Sequence, residues 1–181
     1  MPISDFKTDR SIVLVGLMGA GKSTIGKRLA KRLGLDFVDS DEEIERAADH
    51  SISEIFDRFG EPSFRDGERR VIARLIDGRP KVIATGGGAF MNAATRQLIL
   101  ERCIAIWLDA DAEVLAERVS RRNHRPLLRD RDPLPVLKEL ASVRNPIYAE
   151  AHLHIRGEPV PHERAVQQIV DALSEWRPRS G

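Results

Sequence analysis

Cysteine is almost absent: Cys103 is the only one in 181 residues. One thiol closes no intramolecular disulfide and builds no cysteine-based zinc cluster, so its expected role is that of a small apolar side chain. An excess of charge is missing too. The 29 Lys and Arg are balanced by 28 Asp and Glu, for a formal net charge of +1, and the surface as a whole is not built to hold nucleic acid. No apolar run approaches the ~20 residues of a membrane span. The first ten residues lack the apolar centre of a secretory signal. No internal repeat and no long linker interrupts the chain. What is left is a soluble, cytoplasmic composition, 41% hydrophobic and 31% charged, long enough for one domain with a real core. The expected organisation is a single domain over 1–181, with a loose leader at 1–10 and a tail at 177–181.

Within that frame, short apolar runs alternate with helical patterns. Ile12–Val15 is rich in branched side chains and stops at Gly16, as a buried strand does. Ile25, Leu29 and Leu33 then recur every fourth residue, one face of a helix that Gly34 can stop. Phe37–Val38, Val82–Ala84, Ile104–Leu108 and, more weakly, Leu153–Ile155 read as further strands. Helical segments run to about Ile76, broken near Ser51 and Gly60. Ala165, Val166, Ile169, Val170, Leu173 and Trp176 define one face of a last helix. Strands alternating with helices imply a parallel sheet covered on both faces, whose ligands sit beyond the carboxyl ends of the strands.

The first strand runs into Gly16-Leu17-Met18-Gly19-Ala20-Gly21-Lys22-Ser23, a match to G-x4-G-K-[ST]. Glycines let backbone N–H groups converge on phosphate oxygens, and the helix behind them adds free donors and partial positive charge. Lys22 can reach the outer phosphates; Ser23, rather than the adjacent Thr24, has the spacing to meet Mg²⁺. Four fixed positions match by accident in about one chain in 200 of this length, and here the match also lies between a strand and a helix. It therefore predicts a nucleoside triphosphate site, but motors, switches and kinases all share it.

The remaining motifs admit two or more readings each. Asp39 and Asp41 follow the second strand at a spacing of two, so in extended chain both carboxylates face one side, one to serve a metal shell and one to take a hydroxyl proton. The same residues before Glu42 and Glu43 also make a credible helix cap. Arg65 and Glu68, three apart on a helix, form either a surface ion pair or part of a site. Gly86-Gly87-Gly88 after the third strand is either a connecting turn or bare backbone for a substrate to lie against. Arg118, Arg121, Arg122, Arg125, Arg129 and Arg131 crowd one stretch with few aromatics. That disfavours a nucleic-acid patch and leaves a solvated face or a lid over transferring phosphate, at about 118–132. Arg144 has the fork geometry that matches a carboxylate, and with Arg65 could clamp an anionic acceptor. The five histidines show no ligand or triad spacing and are expected at the surface or in packing.

Taken in order, Gly16–Thr24, Asp39-Ser40-Asp41, Phe64-Arg65-Asp66-Gly67-Glu68, Ala84-Thr85-Gly86-Gly87-Gly88-Ala89, Arg125-Pro126-Leu127-Leu128, and Arg144 with Pro146 and Tyr148 resemble shikimate kinase, from about Ser11 to Trp176. The resemblance implies a three-layer α/β/α P-loop fold with a five-stranded parallel sheet in the order 2-3-1-4-5, plus a lid and a substrate-binding segment. It implies MgATP-dependent phosphorylation of the shikimate 3-hydroxyl, in aromatic amino-acid biosynthesis, by a monomer that releases ADP. It places Gly19, Ala20, Gly21, Lys22, Ser23 and Thr24 on the nucleotide phosphates, with Mg²⁺ on Ser23 and, through water, Asp39. It makes Asp41 the holder of the acceptor hydroxyl and candidate base. Arg65 and Arg144 hold the acceptor carboxylate, Gly86, Gly87 and Gly88 line its site, and Glu68 positions neighbouring groups. Arg125 is the lid arginine near the transferring phosphate, and Arg118 stacks on adenine opposite a wall around Pro161. Other readings are a kinase of another polyol acid such as gluconate, and a nucleotide-dependent module without transfer.

Overall fold

The computed structural model describes residues 7–121, 132–157 and 161–177. Five short strands form one parallel sheet: β1 (Ile12–Val15), β2 (Asp36–Asp39), β3 (Lys81–Ala84), β4 (Ile104–Asp109) and β5 (Leu153–Arg156). Their order is β2-β3-β1-β4-β5, as the resemblance implies. Val13 is paired with Ile83 on one side and Ala105 on the other. A strand in that central place has both faces and both edges covered, which is why all four residues of β1 are buried and apolar.

The crossover helices carry the periodic faces. In α1 (Lys22–Leu33), Ile25, Leu29 and Leu33 are buried, and Gly34 ends the helix in the left-handed region with φ 70°. Next come α2 (Ser40–Ala48) and α3 (Ile52–Ile76), the latter capped by the Ser51 hydroxyl accepting from Glu54 N–H at 3.1 Å. Gly60, at φ 82° and ψ 166°, breaks α3 into two helices two residues before Pro62, where a proline inside one continuous helix would lack its donor and clash. The bend lets Ile44, Ile55, Phe64 and Val71 close a small apolar cluster of their own, apart from the main core.

A 3-10 turn (Ala89–Met91) leads to α4 (Ala93–Arg102), and α5 (Ala112–Ser120), α6 (Pro133–Tyr148) and α7 (His162–Glu175) complete the described helices. Trp176 departs from the expected helix face: α7 ends at Glu175 and Trp176 is its extended cap residue. Leaving the helix lets its ring meet His152 edge-on at 5.4 Å and the Arg10 guanidinium at 5.9 Å. Cys103 is fully buried and its thiol is pushed up to about 11, foremost by burial, so it packs as an inert apolar group.

The register brings Val15, Asp39 and Ala84 to one end of the sheet, since Leu14 and Asp39 both pair with Ala84. The glycine loop, the two aspartates and the triple glycine thus leave three adjacent strands at the same rim. No described helix is long and apolar enough to cross a membrane.

Candidate active site

The loop between β1 and α1 is a cradle of donors. Gly19 and Gly21 take φ 84° and 88°, which turns the backbone back on itself and which side chains beyond glycine resist. Gly21 caps α1 without a side-chain hydrogen bond, and no acidic residue lies in the first turn, so that helix end is left to an anion. Lys22 Nζ donates to the carbonyl oxygens of Gly16 and Leu17, folded over the loop. Arg118 Nη1 donates to the Gly19 carbonyl oxygen at 3.1 Å, which seats this arginine on the cradle's edge. A cleft of about 340 Å³ extends from the loop past Thr24, Asp41 and Gly86.

Asp39 does two jobs at once. The chain leaves the extended state at Ser40, so the period-two alternation expected through Asp41 ends one residue early. Asp39 Oδ1 caps α2 by accepting from Asp41 N–H at 2.9 Å, while Oδ2 accepts from Ser23 Oγ at 2.7 Å. A hydroxyl and a carboxylate side by side at a phosphate cradle are the hard oxygen donors that Mg²⁺ prefers. Among the described residues no group of three or more His, Cys, Asp or Glu encloses a metal. Such an ion would draw its other ligands from phosphate and water.

The triple glycine explains itself only in three dimensions. None of the three residues sits at positive φ; the requirement is closeness. A Cβ on Gly86 would stand 2.7 Å from Asp41 Oδ1, one on Gly87 would stand 3.2 Å from Arg144 Nη1, and one on Gly88 would stand 2.6 Å from Arg65 Cζ. Side chains from α2, α6 and α3 therefore converge on one bare turn, which Ala89 N–H closes onto the Gly86 carbonyl at 3.2 Å. The N–H groups of Gly87 and Gly88 donate to no acceptor among the described residues.

Arg65 and Glu68 are not the surface pair of the plainer reading. Glu68 is 1% exposed and accepts from Arg65 Nη1 at 2.9 Å, while its Oε2 is buried without a hydrogen bond among the described residues. Burial, opposed by Arg65, raises its carboxyl from the ordinary 4.5 to about 7. Two guanidinium groups and the Asp41 carboxylate beside a phosphate cradle suit an acceptor with one carboxylate and at least one hydroxyl.

The family profile described as shikimate kinase matches residues 18–174. The chain belongs to the shikimate kinase family. It is 60% identical over 166 residues to a shikimate kinase of Caulobacter vibrioides, across 92% of this chain and 83% of that one. The solved shikimate kinase from Acinetobacter baumannii, in complex with shikimate, superposes with a TM-score of 0.90 at 38% identity, covering 96% of this chain and 97% of that one. A gluconokinase from Sinorhizobium meliloti has a TM-score of 0.64 at 19% identity over 93% and 94% of the two chains, a likeness of fold alone. The gluconate alternative is accordingly not favoured.

Some expected residues lie elsewhere or outside the described chain. Arg125 and most of the lid fall in 122–131, which is not among the described residues. Of the 118–132 stretch, Arg118 and Arg121 are described, and both line the cleft. His162 corrects the reading of the histidines: it opens α7 and lines the same cleft, its Cε1 3.7 Å from where Gly21 would carry a Cβ. Partial burial, then the Arg118 and Arg28 charges, hold it below its ordinary 6.5, so the ring faces the cleft uncharged at neutral pH. Its only signal in the sequence is its place near the start of the helix that follows the last strand. Thr85, whose hydroxyl donates to the Leu14 carbonyl at 2.7 Å, joins the lining in the same way.

Gly88→Ala tests the turn directly. The new methyl displaces Arg65, and we expect the acceptor KM to rise about tenfold or more with the ATP KM within about twofold. Steady-state kinetics in both substrates checks this; an unchanged acceptor KM would show that the close approach has no functional weight.

Proposed function

We propose that this chain transfers the γ-phosphoryl group of ATP to the 3-hydroxyl of shikimate, giving shikimate 3-phosphate and ADP. The observation that carries the reading is the convergence of Asp41, Arg65 and Arg144 on Gly86–Gly88, beside the phosphate cradle. The forks of Arg65 and Arg144 receive the shikimate carboxylate and thereby set the ring, so that the 3-hydroxyl meets Asp41. Asp41 takes the hydroxyl proton as the new O–P bond forms and the bond from the γ-phosphorus to the β–γ bridging oxygen breaks, leaving that oxygen on ADP. Lys22 leaves the loop carbonyls for the β- and γ-phosphates. Gly19, Ala20, Gly21 and Thr24 supply N–H donors at the same phosphates, and Arg118 and His162 flank the nucleotide. Ser23 and Asp39 would hold Mg²⁺, which when bound neutralises charge across the transferring phosphates. We assign Arg125 to the lid from the family resemblance. We further propose that it acts as a monomer, in the cytoplasm where ATP is supplied.

The test is an ADP-release assay on the purified protein with MgATP and either shikimate or gluconate, with the product identified by ³¹P NMR. ADP formed in step with a phosphate ester at the 3-position of shikimate supports the reading. No release above the ATP-only rate with saturating shikimate would sink it, and turnover of gluconate alone would replace the acceptor.

A further inference from the structure

Tyr148 is the only tyrosine in the chain and ends α6 four residues after Arg144, so the two side chains share a helix face. Its ring is fully buried, stacked on Phe90 at a centroid distance of 6.4 Å and tilted against Trp107 at 5.9 Å. Apolar packing on that scale accounts for an aromatic ring here and would be met as well by phenylalanine. The hydroxyl is what packing leaves unexplained. It donates to the Gly87 carbonyl oxygen, across 61 residues of sequence.

That contact reaches the acceptor site along two routes. Gly87 C=O and Gly88 N–H belong to one trans peptide and point in opposite directions, so holding the carbonyl on Tyr148 sets the direction of an N–H that has no acceptor among the described residues. The Arg144 guanidinium lies beside the same hydroxyl and also within 3.2 Å of the Cβ position of Gly87. Burial pushes the phenol up to about 12, so it remains a neutral donor at any working pH.

We infer that Tyr148 is a positioning residue for the acceptor: its hydroxyl, bound to the Gly87 carbonyl, orients both the glycine turn and the Arg144 guanidinium that receive the acceptor carboxylate. This rests on the reading of the site given above, and the experiment separates the two. If the wild-type protein makes no ADP with shikimate, the proposed function fails. If it does, Tyr148→Phe bears on this inference alone.

The loss of one hydroxyl is expected to raise the shikimate KM about 5- to 20-fold, with the ATP KM within about twofold and kcat within about threefold. A defect of packing alone would lower the active fraction, and with it kcat, and leave both KM values in place; that outcome overturns the inference. So does full multiplicativity with Arg144→Ala. Because Tyr148 acts through Arg144 along one of its two routes, its effect on the shikimate KM should shrink by at least about half in that background. Should Tyr148→Phe fail to fold, 3-fluorotyrosine offers a readout in the otherwise unaltered chain, since it enters at this one position. Its ¹⁹F resonance is expected to move on addition of shikimate, and a resonance that shikimate leaves unmoved overturns the proposal.

Discussion

Asp41→Asn is expected to lower kcat by about 10²- to 10⁴-fold, the usual contribution of a positioned base, or roughly 3–5 kcal/mol of barrier. The substitution keeps the shape of the side chain but removes its negative charge and its ability to take a proton. Asp41 contributes its backbone N–H to the Asp39 cap, and that bond survives the exchange. Binding of MgADP, measured by calorimetry, should therefore stay within about threefold of wild type, because the phosphate cradle is built by other residues. Shikimate affinity should change little, since the proposed carboxylate anchors lie on α3 and α6. Unaltered kcat would remove Asp41 from the role of base. Loss of kcat together with loss of ADP binding would assign it to structure instead, through the shared start of α2.

Arg65→Ala carries the second large effect and adds a pH dependence. In the proposed reading the guanidinium meets the acceptor carboxylate before chemistry begins, so its removal should raise the shikimate KM about 30- to 150-fold, with a smaller change in kcat. Arg65 is also the partner of buried Glu68, at 2.9 Å. A carboxyl raised from 4.5 to about 7 contributes its full stability below the lower value, and loses it as pH climbs through the upper one. Without the opposing charge of Arg65 the Glu68 carboxyl moves higher still, and the loss continues further into the alkaline range. The variant should therefore lie close to wild type in urea midpoint at pH 5 and well below it at pH 8. Adding Glu68→Gln should abolish that difference between the two pH values. An equal deficit at both would mean that Glu68 does not respond to its partner, and that the stability of this region rests on packing around Phe64 alone.

Both experiments probe groups that were visible in the sequence, though not in the same way. Asp41 and Arg65 stand out as residue types at telling positions, one after a strand and one within a helix. The cost of disturbing them is set by what faces them. Glu68 illustrates the difference: three residues from an arginine on a helix, it fits an exposed pair as well as a buried one. Its 1% exposure follows from where α3 bends at Gly60 and from what then packs over it. The histidines show the same limit. His162 carries no spacing signal, and it reaches the nucleotide cleft because β5 delivers the start of α7 to the rim where β1 ends.

The sequence by itself determined the five strands, the stop at Gly34, the break at Gly60 and the phosphate loop. Each of these is local: a period of two or nearly four, a glycine where the backbone must turn, donors gathered within eight consecutive residues. Through its ordered motifs it also carried the family and the strand order. The tertiary structure alone decided why three consecutive glycines follow β3. They are read locally as a turn, yet their backbone angles would accept other residues. What a Cβ would meet is the arrival of Asp41, Arg144 and Arg65 from three separate helices, whose side chains it would displace; the five-stranded pairing brings those helices to one rim. Contacts between residues tens of positions apart leave no period to read, and the phenol of Tyr148 on the Gly87 carbonyl is of that kind.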